Sequence, residues 1–225
     1  MTYKELINEV LRRLREDQIT SDWSGALATA AGPTDYQKMI GDFVNDAKYE
    51  VEHFWDWQTL RVTAGINTQN GDMSYALVGA GSDFRVLDVI DTTTGRHLKQ
   101  IPSAELNNKA FPVSDQVTGE AYQYGFNGID DNLDMVVDLW PIPDDQRQIN
   151  FNIVKPQDKL YLATTQIYVN PQAVILGAYV RALSERGEDG GTQVSVAAGE
   201  YQNVLSRAVQ IDSSKTQYET DWYAN

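Results

Sequence analysis

Apolar residues at Tyr3, Leu6, Ile7, Val10, Leu11 and Leu14 recur every three or four positions, which predicts a helix with one apolar stripe. Thr2-Tyr3-Lys4-Glu5 in front of it is a capping box, in which hydroxyl and carboxylate satisfy free backbone amides. A polar loop of small residues follows from Asp17 to Pro33, with Trp23 alone in it. Thr34 and Gln37 then form a second capping box. Behind it Tyr36, Met39, Ile40, Phe43, Val44, Ala47, Val51, Phe54 and Trp55 keep helical spacing over about twenty residues. So long a stripe needs a partner, and the first helix offers one.

After Trp57 the period shortens to two. Segments 59–63, 73–77, 84–90, 133–140 and 149–153 read as strands. Asn70-Gly71, Gly79-Ala80-Gly81, Thr94-Gly95, Asn127-Gly128 and Pro141-Ile142-Pro143-Asp144-Asp145 punctuate them. No helical pattern of 10–15 residues alternates with these strands, so the sheet is expected to be mainly antiparallel. Ser103–Lys109 is long enough for one helical turn or two. Helices return at Asn170-Pro171, an N-cap followed by proline at the first helical position. Val174, Ile175, Ala178, Tyr179, Ala182 and Leu183 form the apolar face, and Gly187 ends it in a left-handed conformation. After the loop 188–192 a last helix carries Ala197, Tyr201, Val204, Leu205 and Ala208, and beyond Ile211 the period is lost.

The expected class is therefore α+β. Residues 1–56 and 169–211 form a helical base, 57–168 an inserted, mainly antiparallel β-domain, and 212–225 a C-terminal tail.

Composition narrows the functions. A chain of 225 residues with 42% hydrophobic positions can bury a sizeable core, roughly 70% of its unfolded surface. Without cysteine it has no disulfide scaffold, thiol catalysis or cysteine-ligated metal. No apolar run approaches the roughly 18 residues of a bilayer span, and the charged opening is unlike a signal peptide, so a chain of cytoplasmic type with no membrane partner is expected. Lys+Arg number 18 and Asp+Glu 32, a net charge of −14, which argues against duplex binding, where basic side chains displace counterions. Eight of the acids (Asp115, Glu120, Asp130, Asp131, Asp134, Asp138, Asp144 and Asp145) fall in one stretch with no Lys or Arg. A solvated acidic sheet face accounts for it. So does a surface to which passing DNA must not adhere.

Motifs that carry chemistry are missing. His53 lies at an aromatic-rich helix end and His97 beside a turn, neither with an evident orienting partner. Asp130-Asp131-Asn132-Leu133-Asp134 opens like a calcium loop, but Met135 stands where the glycine belongs and Pro141 where the bidentate glutamate belongs. Gly79-Ala80-Gly81 lacks the third glycine of a dinucleotide loop. No enzyme, cofactor or metal is expected. Aromatics cluster at segment ends instead. Phe54, Trp55 and Trp57 read as a plug at the hinge between the two parts, or as an exposed sugar platform. Tyr218, Trp222 and Tyr223 in the tail either fold back on the base or dock in a neighbouring protein, and docking suits aromatic anchors better.

The order of elements resembles the head-to-tail adaptor proteins of tailed bacteriophages, including the podovirus tail tubular protein A type. The shared features are the opening Met-Thr-Tyr-Lys-Glu-Leu-Ile-Asn-Glu-Val-Leu-Arg-Arg-Leu, the long helix ending Phe54-Trp55-Asp56-Trp57, and the strand start Ser82-Asp83-Phe84-Arg85-Val86. Two more are the strand end Leu139-Trp140-Pro141-Ile142-Pro143 and the segment Arg181–Glu188 before a closing helix with Tyr201. The resemblance implies a structural virion component, assembled in the host cytoplasm. It implies a ring of about twelve subunits, closed by heterologous contacts, between a portal protein and a tail nozzle or tube protein. DNA would pass through without specific binding, for genome retention and ejection. Carried onto this sequence, Tyr218, Trp222 and Tyr223 become candidate portal contacts, and Asp130, Asp131, Asp134, Asp138, Asp144 and Asp145 a candidate channel or nozzle-facing acidic surface. The loop 17–33 is longer than the resemblance implies. Two other readings remain open: a carbohydrate-binding β-sandwich module of a tail protein, and an acidic hydrolase.

Overall fold

The computed structural model describes residues 1–30, 32–110, 117–187 and 191–215. It divides into two compact units, residues 1–60 with 156–225, and residues 61–155.

The first unit is helical. Helix α1 (Tyr3–Arg13) and helix α2 (Asp35–Phe54) each begin on a complete capping box, Thr2 with Glu5 and Thr34 with Gln37. Helix α4 (Pro171–Arg186) starts on the Asn170 side chain, which accepts from the amides of Gln172 and Ala173, and stops at Gly187 with φ 60°. Helix α5 (Thr192–Ser213) runs two residues past Ile211. Helix α4 packs against α1, α2 and α5, so its apolar residues are enclosed on several sides: Ala173, Val174, Ile175, Leu176 and Ala178 are all buried. Gly177 makes this approach close, since a Cβ there would stand 3.0 Å from the Ala47 Cβ.

The loop 17–33 is not a bare polar connection. Ile19, Trp23 and Leu27 are buried; the Trp23 ring meets Tyr3 edge-on, and its Nε1 donates to the Tyr161 carbonyl at 2.9 Å. Segments 57–60 and 156–168, expected in the β-domain, belong to this helical unit instead. The reason is hydrogen bonding. Trp57 Nε1 donates to the Val51 carbonyl, the Tyr3 and Lys4 amides donate to Thr165 and Ala163, and the Leu160 amide donates to Asn45.

The second unit is built of strands β1 (Arg61–Asn67), β2 (Ser74–Ala76), β3 (Arg85–Asp91), β4 (Arg96–His97), β5 (Lys99–Gln100), β6 (Thr118–Gly119), β7 (Gln123–Ile129), β8 (Met135–Trp140), β9 (Ile142–Pro143) and β10 (Gln148–Val154), with helix α3 (Ser103–Ala110) between β5 and β6. They form two four-stranded sheets, ordered β1-β10-β3-β4 and β2-β8-β7-β5, and a small pair β6-β9. The long ladders are antiparallel, as the missing crossover helices imply; β5-β7 and β6-β9 are two-residue parallel pairs. Val89, Ile149, Phe151 and Ile153 from the first sheet and Tyr124, Val137 and Leu139 from the second share one core, with the Tyr124 and Phe151 rings 5.4 Å apart. Alternate residues of two facing sheets thus bury each other, a sandwich. A smaller core, Ile101, Leu106, Ala110, Trp140 and Ile142, sits under α3.

Strand β7 does not show in the sequence pattern. Gly125 and Gly128 dilute its alternation, and its register shifts between Phe126 and Ile129. Gly125 has a packing cause: a Cβ there would meet the Leu106 Cδ1 at 3.1 Å and the Ile101 carbonyl at 3.2 Å.

Candidate functional site

The acidic stretch is contiguous in sequence and divided in space. Asp115 lies outside the described residues. Asp130 and Asp131 sit on the turn joining β7 to β8, and Asp144 and Asp145 follow β9, beyond the other end of β8. The six residues of β8, at about 3.3 Å each, hold the two acidic turns roughly 20 Å apart.

Two of the six candidate acids do not face solvent. Asp134 is 8% exposed and Asp138 2% exposed. Asp134 accepts from the amides of Gly79 at 3.0 Å and Gly81 at 2.9 Å, and these two bonds hold its carboxyl below the usual carboxylate range. Asp138 accepts from the Ser74 hydroxyl on β2. Asp130 is half-buried, its Oδ1 taking the amides of Asn132 and Asp134, both at 2.9 Å. That is a turn leading into a strand, with its oxygens engaged by backbone. Asp131, Asp144 and Asp145 are exposed.

Cations from outside the stretch also enter it. The Arg147 guanidinium lies 3.6 Å from Glu120, 3.5 Å from Asp144 and 4.0 Å from the buried Asp91, while Arg96 lies 3.5 Å from Glu120. The acidic surface that remains is two small foci at opposite ends of one strand.

Asp134 is consequently a fastener of the Gly79–Gly81 turn. Asp134→Ala is expected to lower the melting temperature at neutral pH. A folded-state pKa held low gives stability that is complete above the unfolded value and fades as pH falls through the folded one. The deficit of the variant should therefore close as pH drops below roughly 4. Paired melts at pH 7 and pH 3 check this, and a gap that persists unchanged in acid contradicts it.

Neither histidine lies in an evident catalytic arrangement. His53 Nδ1 is 2.8 Å from the Tyr49 carbonyl, one turn back on α2, with the ring tilted 36° over the Tyr49 ring at 3.9 Å. His97 pairs with Ile90 at the sheet edge and is exposed. Among the described residues, no group of three or more His, Asp or Glu is placed to hold a metal ion, and no helix is long and apolar enough to cross a membrane. The aromatic group at the end of α2 is split: Trp57 is buried and Phe54 is 52% exposed, which suits neither a single plug nor a flat platform. Tyr218, Trp222 and Tyr223 lie outside the described residues.

What the described residues present is a helical unit and a β-sandwich, with no evident reaction centre among them. The family model of the SU10 adaptor protein matches residues 1–222. The chain belongs to the SU10 adaptor protein family. This is a phage head-to-tail adaptor family and a structural one, so the match agrees with the resemblance carried by the order of elements. The adaptor is a structural virion component. A search of curated proteins returned no match.

One group escaped the sequence pattern. Arg13, Arg15 and Arg186, from distant parts of the chain, line a single cavity in the helical unit of the adaptor. No local signal could have joined them, because the packing of α1 on α4 does so.

Proposed function

We propose that the adaptor assembles into a closed ring between the portal protein and the nozzle or tube protein of the tail, and that the ring continues the DNA channel. The observation that carries this reading is the family match over residues 1–222, across both units. Two compact units of different chemistry offer the unlike faces that a head-to-tail ring requires, and rotation closes such contacts at about twelve subunits in the resemblance. The ring's work is mechanical and electrostatic. DNA slides without specific contact because the foci carry exposed carboxylates, and Arg147, the cation beside Asp144, is engaged by Asp144, Glu120 and Asp91.

The lining candidates are now Asp131, Asp144 and Asp145, with Asp130 behind them, since Asp134 and Asp138 serve to hold turns and strands. Tyr218, Trp222 and Tyr223 are the portal anchors in this reading. Deleting residues 216–225 tests that part. Helix α5 closes before them, with Ser214 as its C-cap and Lys215 3.3 Å from Asp212. The truncated adaptor should melt within a degree or two of the full chain and lose portal binding at least about tenfold, as aromatic anchors dominate interfaces. A large drop in melting temperature would place the tail on its own core.

Native mass spectrometry of the full adaptor mixed with its portal protein tests the ring. A single closed stoichiometry supports it, and an adaptor that stays monomeric with portal present contradicts it.

A further inference from the structure

The cavity lined by Arg13, Arg15 and Arg186 has a volume of about 310 Å³. It adjoins a second, of about 420 Å³, that shares Arg13, Tyr179 and Gln193 and adds the buried Ala197 and the exposed Val196 and Glu200. Together they make a groove with a basic end and an apolar end, between the last turns of α1 and α4 and the first turn of α5.

Helix ends attract arginines for a simple reason: the last carbonyls are partly negative. That accounts for Arg186, whose guanidinium donates to the Leu14 carbonyl at 3.4 Å and to the Tyr36 hydroxyl at 2.9 Å and pairs with Glu16. It also favours Arg13, in the last turn of α1, but explains neither the enclosure of its Nε nor the position of Arg15. Arg15 stands beyond the end of α1, exposed, at φ 59°. Arg13 lies over the Tyr179 ring at 6.0 Å, and its Nε is enclosed without a hydrogen-bond partner. Such an atom calls for a reason.

The other cations of the helical unit are nearly all engaged. Lys4, Arg12, Lys38, Lys48, Lys159, Arg181, Arg186 and Lys215 each pair with a carboxylate. Among the described residues of that unit, only Arg13, Arg15 and Arg207 lie outside an ion pair, and two of these three line the groove. Glu16 offsets Arg186, and Glu200 stands at the far, apolar end. Among the described residues, no carboxylate pairs with the guanidiniums of Arg13 and Arg15 at the basic end, on a chain of net charge −14.

Copies of so acidic a chain repel one another. A ring of them needs cations where copies meet, and planar guanidiniums match carboxylates with paired hydrogen bonds. A notch of this volume admits side chains and is too small for a duplex. We propose that this groove receives acidic side chains of a second copy of this chain, as the electrostatic half of a subunit contact. The proposal rests on the ring reading and names the surface through which the ring closes.

Two measurements on the full-length adaptor, assembled with portal protein, test it. The first uses an Arg15→Lys variant, prepared unlabelled and ¹⁵N-labelled, mixed and treated with a carbodiimide that couples lysine to carboxylate without a spacer. Coupling of Lys at position 15 to Asp or Glu of the other isotope supports the proposal. Coupling only within one chain, only to portal protein, or suppressed by added duplex DNA overturns it. The second uses Arg15→Glu, at an exposed position, with the monomer's melting temperature as the control for folding, and the double variant Arg13→Glu with Arg15→Glu. Assembly should weaken about tenfold in the single variant, and the defect should shrink as salt is raised. If the wild type forms its ring and Arg15→Glu assembles equally well, the groove is not the contact and the ring reading stands. If the wild type forms no ring, both fall.

Discussion

Replacing Lys48 with methionine should cost about 3–5 kcal/mol of stability at neutral pH, the size expected when one partner of a buried ion pair is removed. Lys48 and Glu52 stand one turn apart on α2, with side chains 3% and 0% exposed, and Nζ lies 2.8 Å from Oε2. Nζ also donates to the Gln157 carbonyl at 2.5 Å, in the segment that returns from the β-sandwich across α2. Burial raises the Glu52 pKa, and the hydrogen bond and charge of Lys48 oppose that rise. A carboxyl whose folded pKa lies above its unfolded value favours the fold fully below the unfolded value, and the benefit erodes as pH climbs through the folded value. Removing Lys48 pushes the folded value higher. The deficit should therefore be largest near pH 7.5 and smaller at pH 5. Urea unfolding at the two pH values measures it. The double variant Lys48→Met with Glu52→Leu should recover most of the loss, since it leaves no buried charge. A single-variant deficit below about 1 kcal/mol, or one indifferent to pH, would contradict this account of the pair.

Asn45→Leu should be nearly as costly, about 3 kcal/mol or more, because it orphans three buried groups at once. The Asn45 side chain donates to the Tyr3 hydroxyl at 2.9 Å and the Leu160 carbonyl at 3.1 Å, and accepts from the Leu160 amide at 2.8 Å. Leucine keeps the volume and supplies none of these bonds. The Tyr3 amide is bonded to Thr165 in the same returning segment, so the loss should spread along it. Hydrogen exchange reads the effect locally: the Leu160 amide should exchange much faster in the variant. Unchanged protection there, with stability within 0.5 kcal/mol of wild type, would show that Asn45 does not fasten the crossing.

Both positions show where the sequence is readable and where it is not. The capping boxes at Thr2 and Thr34, the Asn170-Pro171 start and the Gly187 stop are local chemistry, complete within four residues, and the helices begin and end on them. The antiparallel character of the sheets follows from the absence of crossover helices. The burial of Lys48 and Glu52, by contrast, has no local signal, because the segment that covers them lies 109 residues away. Asp134 and Asp138 read as part of an acidic face, because the Gly79 amide and Ser74 hydroxyl that sequester them come from 55 and 64 residues earlier. Strand β7 was hidden by glycines whose reason, the close approach of Leu106 and Ile101 to Gly125, is tertiary. The same holds for the arginine groove, which exists only once α1 lies against α4.

These corrections change the functional picture in one respect. The candidate acidic surface reduces to two foci at the ends of β8. In the proposed ring, a non-stick channel would then depend on assembly more than on any single chain.

Electron cryo-microscopy of the adaptor bound to its portal protein tests the central claim most directly. The account predicts a closed ring with an axial hole coaxial with the portal, and Asp131, Asp144 or Asp145 on its inner wall. A particle without a central hole, or a ring whose inner wall carries none of these carboxylates, would contradict it.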